Sequence, residues 1–212
     1  GKSDHKTGFD GSGPFRRAAE QCEKTAAAEK AETKTTKKTT VVAKFSPSGN
    51  LLWKTGFYDN GVTNLYAMEI AHDGGVVIAG NYSVGTAGTG EGTTFEGIYN
   101  GGTAGTMDGA IIKINSNGTT GWIRTIVGFE HDFVSGIVAI PGGYAVSGYS
   151  KSSNRDFKLT NIGDFDSFVY TLSPKGKLES IYGLGGTRTD NACGICTDGK
   201  SIYICGATTS SD

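Results

Sequence analysis

No stretch of these 212 residues approaches the roughly 18 apolar residues that a membrane helix needs, and the chain opens without a charged-then-apolar leader. Membrane insertion is therefore not expected. Charge of one sign is also missing. The net charge is −1, which gives no field to attract nucleic acid or acidic lipid, and the lysines around residue 34 are a local feature. Cysteine is scarce: Cys22, Cys193, Cys196 and Cys205 are too few and too clustered for a disulfide-stapled scaffold. Cys193-Gly-Ile-Cys196 has the spacing of half a zinc site, but no second pair or His-x-His completes the coordination. Residues three apart on a strand also face opposite ways, which disfavours shared ligation, and Cys196 and Cys205 read as small buried residues by their type.

What the chain does have is glycine. Thirty-four glycines against 36% hydrophobic residues fit many short strands joined by tight turns. The glycines are in register. Lys44-Phe45-Ser46-Pro47-Ser48-Gly49 is answered by Lys113-Ile114-Asn115-Ser116-Asn117-Gly118 and by Thr171-Leu172-Ser173-Pro174-Lys175-Gly176. From Gly49 to Gly80 is 31 residues, and from Gly118 to Gly148 and from Gly176 to Gly206 it is 30. A held spacing of this kind marks a modular architecture.

Each copy divides into four strand-sized pieces. They are 41–45, 51–56, 67–71 and 76–82 in the first copy, and 110–115, 121–127, 136–140 and 144–149 in the second. In the third they are 168–172, 178–182, 194–197 and 202–207. Within a copy they are called A, B, C and D. Glycine-containing hairpin turns join A to B and C to D. The expected fold class is all-β, with three four-stranded antiparallel repeats as β-propeller blades, one sheet per copy. The blades divide as 41–107, 108–165 and 166–212. Residues 1–40 read as the tail of a preceding blade, a helical insertion from about Ser12 to Thr33, and a polar lead-in of Thr and Lys. Trp53 and Trp122 each follow a turn glycine by four residues and are expected to fill space between blades. Ser180 takes that slot in the third copy, which leaves the packing there to Tyr182.

The run Asp108-Gly-Ala-Ile-Ile-Lys-Ile-Asn115, with Gly118 and Trp122, continues into Gly128-Phe-Glu-His-Asp132 and Gly142-Gly-Tyr-Ala-Val-Ser-Gly-Tyr-Ser150. It resembles the bacterial β-propeller repeat labelled SBBP, over about residues 41–212. The resemblance implies a segment of a large prokaryotic protein, at the cell surface or secreted. It supplies no shared catalytic motif. Closed propellers need about four to eight blades. Three copies therefore read either as consecutive blades of a longer protein or as a half-ring that closes by self-association.

The D–A connections are long, and in a propeller they emerge with the B–C loops on one face, where binding residues collect. The candidate binding residues there are Tyr58, Asp59 and Asn60 in the first copy, Glu130 and His131 in the second, and Arg188 in the third. Asn64, Asp132 and Asp190 each precede the D-strand glycine by 16 residues, a register that suits a turn or strand-end cap. A carboxylate beside an imidazole at 130–131 has acid–base chemistry, yet neighbours on a strand diverge and no third group completes a catalytic set. Asp164 and Asp166, with Asp108 matching Asp166, lack the remaining ligands of a calcium loop. The glycines of 85–105 carry no Gly-Lys-Ser/Thr ending, so neither a metal nor a cofactor is expected. The expected function is a non-enzymatic binding or scaffold module that engages a protein or glycan. Its rivals are a glycan hydrolase or lyase, which needs two placed carboxylates, and a purely structural spacer.

Overall fold

The computed structural model describes residues 38–59, 63–83, 94–95, 98–99, 103 and 105–212. The expected helix of the first forty residues lies outside them. Strands β1 (Lys38–Phe45) and β2 (Leu51–Asp59) pair in a two-stranded sheet. Its turn is closed by Ser46 N–H donating to the Asn50 carbonyl and Gly49 N–H to the Ser46 carbonyl, with Gly49 at φ 82°. The chain divides into two compact units, Gly1–Thr36 with Val42–Thr55, and Lys37–Val41 with Gly56–Asp212. The larger unit carries the remaining strands.

In that unit β3 (Thr63–Ile70) and β4 (Val76–Ser83) lead to the two-residue strands β5 (Thr94–Phe95) and β6 (Ile98–Tyr99), which pair with each other. Next come β7 (Met107–Ile114), β8 (Thr120–Ile126), β9 (Asp132–Ile140) and β10 (Gly143–Ser150). They are followed by β11 (Asp166–Leu172), β12 (Leu178–Leu184), β13 (Asp190–Thr197) and β14 (Ile202–Thr208). The architecture is all-β and every described pairing between strands is antiparallel.

The sheets are out of phase with the sequence repeat. One is ordered β3-β4-β7-β8 and the next β9-β10-β11-β12, so each joins strands C and D of one copy to strands A and B of the following copy. One sheet per copy is thus replaced by one sheet per junction between copies. Burial explains the choice. Strands β4 and β7 are covered on both faces over most of their length, whereas β8 opens with two exposed residues. The strands apolar on both sides take the centre of the sheet, and those with a polar side take its edges. The long D–A connections therefore join neighbouring strands, and the short B–C loops step from sheet to sheet.

A β-bulge recurs in every C–D pair, at 65/67 against Gly80, at 134/136 against Gly148, and at 192/194 against Gly206. It explains the repeated glycine. A Cβ on Gly80, Gly148 or Gly206 would collide with the carbonyl oxygen of Asn64, Phe133 or Asn191 respectively. The extra residue of the bulge pushes that carbonyl toward the D strand.

Strand β9 packs against β3, β4 and β7, and β13 packs against β9, β10 and β11. Between the two four-stranded sheets lie Val77, Ala79, Ile111, Ile126, Val134, Ile137, Tyr144 and Val146, continuous with the aromatic group Phe157, Phe168 and Tyr170. Polar contacts fix the join: the Val134 N–H donates to Asn81 Oδ1 at 2.7 Å, and the Met107 N–H to His131 Nδ1 at 3.1 Å. Lys113, also buried, ends between the Ile114 carbonyl and Asp73, each at 2.9 Å. That contact holds the Asp73 carboxyl below the usual carboxylate range.

Trp122, on β8, reaches the next sheet. Its indole N–H donates to the Pro174 carbonyl at 3.0 Å, its ring lies 6.2 Å from that of Tyr144, and it covers the position where Gly176 would carry a Cβ. Trp122→Ala is expected to cost about 2 kcal/mol, below the ~3–5 kcal/mol of a fully buried aromatic because the ring is only half-buried. A urea titration followed by circular dichroism reads that loss. The third copy has no equivalent brace, since Tyr182 is 62% exposed rather than packed. Cys193, Cys196 and Cys205 are likewise exposed, not buried. They lie on the two-stranded β13–β14 sheet, whose outer strand has no further pairing among the described residues.

Candidate functional site

Three connections meet at one end of the sheets in the larger unit: 127–131 between β8 and β9, 151–165 between β10 and β11, and 185–189 between β12 and β13. The long connection is tied to both short ones. Lys151 N–H donates to the His131 carbonyl, Asp156 N–H to the Val127 carbonyl, and Asp164 N–H to the Arg188 carbonyl. Asp156 in turn accepts the Val127 N–H at 3.0 Å and pairs with Arg124 at 3.1 Å. Lys151 bridges Asp164 at 2.6 Å and lies over the Phe165 ring, which belongs to a half-buried aromatic group with Phe133 and Tyr149.

The short loops are each built round one buried aspartate. Asp132, the first residue of β9, accepts hydrogen bonds from Ser150 Oγ and, at 3.0 Å, Ser152 Oγ, with the Gly128 backbone packed close against its carboxyl. Asp190, the first residue of β13, accepts from Thr208 Oγ1, from Ser210 Oγ at 2.8 Å and from the Gly186 N–H at 2.8 Å. The two hubs share one grammar: a glycine four residues before the aspartate, and hydroxyls 18 and 20 residues after it. The glycine is required because a Cβ on Gly128 would overlap Ser152, and one on Gly186 would press on Ser210. Asn64 occupies the same position in the first copy. It is exposed, and the sequence there offers Tyr82 and Val84 in place of the hydroxyl pair. Single-letter reading of aspartates alone could not find Ser150, Ser152, Thr208 and Ser210. Alignment of the copies on the D-strand glycine would have found them.

The two aspartates differ in charge environment. Hydrogen bonds from Thr208 and Gly186 hold Asp190 below the usual carboxylate range. Burial instead pushes Asp132 up to about 6. Its neighbour across the join, Asp108 on β7, is raised to about 8 by burial and by the charge of Asp132.

The sequence-derived binding residues are distributed as follows. Glu130 and Arg188 are exposed on loops that border the same 151–165 connection, and their backbone N–H groups donate to Ser152 Oγ and Ser210 Oγ, each at 3.0 Å. His131 is half-buried, stacked on Phe133 at 6.0 Å with its Nδ1 already accepting the Met107 N–H. That nitrogen cannot serve as a free base. Tyr58 and Asp59 end β2, and Asn60 lies outside the described residues. Among the described residues no three His, Cys, Asp or Glu side chains gather as a metal site. Asp164 is committed to Lys151, and Asp166 accepts the Ile162 N–H at 2.6 Å. A cleft of about 170 Å³ opens beside Asp166, floored by Phe157, Leu159 and Phe168 and edged by Thr160 and Asn161. No family model matches the chain, and no curated protein matches it.

Proposed function

We propose that the chain consists of β-propeller blades of the SBBP type and acts as a binding module of a bacterial surface or secreted protein. Its partner is a protein or a glycan, engaged through the D–A and B–C loops. The observation that carries this reading is the way the 127–131, 151–165 and 185–189 loops are cross-tied at one end of rigid sheets, which presents Glu130 and Arg188 to solvent. Loops held by buried hubs lose little entropy on binding, which favours recognition by a preformed surface. The propeller reading is supported by two consecutive four-stranded antiparallel meanders and the β13–β14 pair that follows them, whose first strands, β3, β9 and β13, pack one on the next.

The test is a glycan array and an array of extracellular proteins, probed with the wild type, with Glu130→Ala/Arg188→Ala, and with Lys175→Ala in the turn at the opposite end. A ligand is expected whose binding falls at least about tenfold in the double variant and is unchanged in Lys175→Ala. Binding by neither array, or equal loss in both variants, overturns the reading.

A further inference from the structure

We propose that Asp108 and Asp132 form a buried acid pair that holds one proton between them and latches the β3-β4-β7-β8 sheet to the loop that opens the next sheet. Both residues are closed to solvent, at 0% and 1% exposure, and they lie next to each other across the join, where the residues just before them are tied by the Met107 N–H bond to His131 Nδ1 at 3.1 Å. They come from different sheets, β7 and β9. Two carboxylates cannot accept from one another, so a hydrogen bond between them needs a proton on one of the two.

The surroundings assign that proton to Asp108. Asp132 is supplied with donors by Ser150 and Ser152, as suits an anion. Among the described residues Asp108 receives only a long contact from the Tyr82 hydroxyl at 3.5 Å, and its Oδ1 is met by no donor. An ionised Asp108 would be a buried charge with too few partners, and a protonated one is a donor with a partner in place.

Among the described residues no free cation faces the pair. Strand β8 brings Arg124, which is paired with Asp156, and the 151–165 connection brings Lys151, which is paired with Asp164. The 127–131 loop brings Glu130, which is exposed, and His131, whose Nδ1 is occupied by the Met107 N–H. Strand β4 brings Tyr82, and β11 brings Tyr170, whose phenol is pushed up to about 12 by burial and nearby carboxylates. Tyr149 of β10 neighbours Ser150 and points to the other face.

As pH rises, the proton passes from Asp108 to bulk hydroxide, and two adjacent buried anions remain. The folded-state affinity for the proton is raised above the unfolded value of about 4. The stabilisation is therefore complete below that value and lost as pH rises toward about 8, with the pair titrating as a unit. Because Gly128 and Ser152 are shared with the 127–131 loop, ionisation loosens the stretch that carries Glu130. The latch is independent of the ligand-binding reading, and a stability measurement tests it even where no ligand is found.

The experiment compares the melting temperature of the wild type and Asp108→Asn from pH 5 to pH 9, with and without calcium or EDTA. Carbon-13 NMR of the aspartate carboxyls in the wild type is recorded alongside. The wild type is expected to lose at least about 3 °C between pH 6 and pH 9. Asp108→Asn, which keeps a donor toward Asp132, is expected to lose less than half of that. One carboxyl signal is expected to stay in the acid range at pH 7, and amide exchange at 127–132 is expected to quicken above pH 8 beyond its intrinsic rise. Both carboxyls ionised at pH 7, an unchanged slope in Asp108→Asn, or a calcium-dependent rise in melting temperature would overturn the shared proton. Should Asp108→Asn fail to fold, the NMR signal of the wild type decides.

Discussion

Gly148→Ala is expected to abolish the cooperative folding of the larger unit. The added methyl group would overlap the Phe133 carbonyl oxygen and lie 2.6 Å from the tip of the Phe168 ring, both fixed by the sheet and the core. Relief requires undoing the bulge at Val134/Gly136. That would shift the start of β9 by one residue and turn Asp132 away from Ser150 and Ser152. A loss above about 4 kcal/mol belongs to this class of overlap, against a total stability of about 5–15 kcal/mol for a domain. Gly142→Ala is the matched control. Gly142 has φ 84° with open space around its Cα, so alanine meets only the left-handed backbone cost of about 1–2 kcal/mol. Urea unfolding read by the fluorescence of Trp122 in a Trp53→Phe background separates the two. A sigmoidal transition in Gly148→Ala as late as that of Gly142→Ala would show that no carbonyl approaches the D strand there.

Asp132→Ala is expected to be the most damaging side-chain truncation at the loop face, at about 3 kcal/mol or more. It strands the Ser150 and Ser152 hydroxyls without their acceptor, and buried unpaired donors cost about 1–3 kcal/mol each before relaxation. Thermal unfolding at pH 6 measures the loss, and proteolysis between β8 and β9 should appear in the folded protein at the same pH. Asn64→Ala is the internal comparison. Asn64 is exposed at the equivalent position, so its truncation is expected to be close to neutral. Equal effects at the two positions would mean that the hub of serine hydroxyls carries no stability.

The strands were legible in the sequence because a turn glycine and a D-strand glycine bracket four apolar runs in every copy. The pairing partner was not. Nothing in 110–115 or 144–149 says whether a strand turns back on its own repeat or reaches across a long loop, and the sheet phase emerges only when burial on both faces is compared. Each C strand starts about four residues before its clear apolar alternation, at Asp132 rather than 136 in the second copy, because the bulge breaks the alternation that marks a strand. At the loop face the regular aspartates were visible and their serine partners were not, since a hydroxyl 18 residues away carries no local signal. Burial of Cys196 and Cys205 was inferred from residue type alone, and type does not tell which strands find a cover.

The staggered sheets bear on how the repeats came to be joined and how they come apart. The second copy contributes half of each four-stranded sheet, and the first and third copies each complete one of them, so the copies interlock as bricks do in a bonded wall. Withdrawing the second copy, 108–165, would halve both four-stranded sheets at once. Nearest-neighbour coupling between copies therefore runs through backbone hydrogen bonds as well as side-chain packing. Adjoining copies are then expected to melt as one cooperative block, unlike repeat arrays whose modules meet only across side chains.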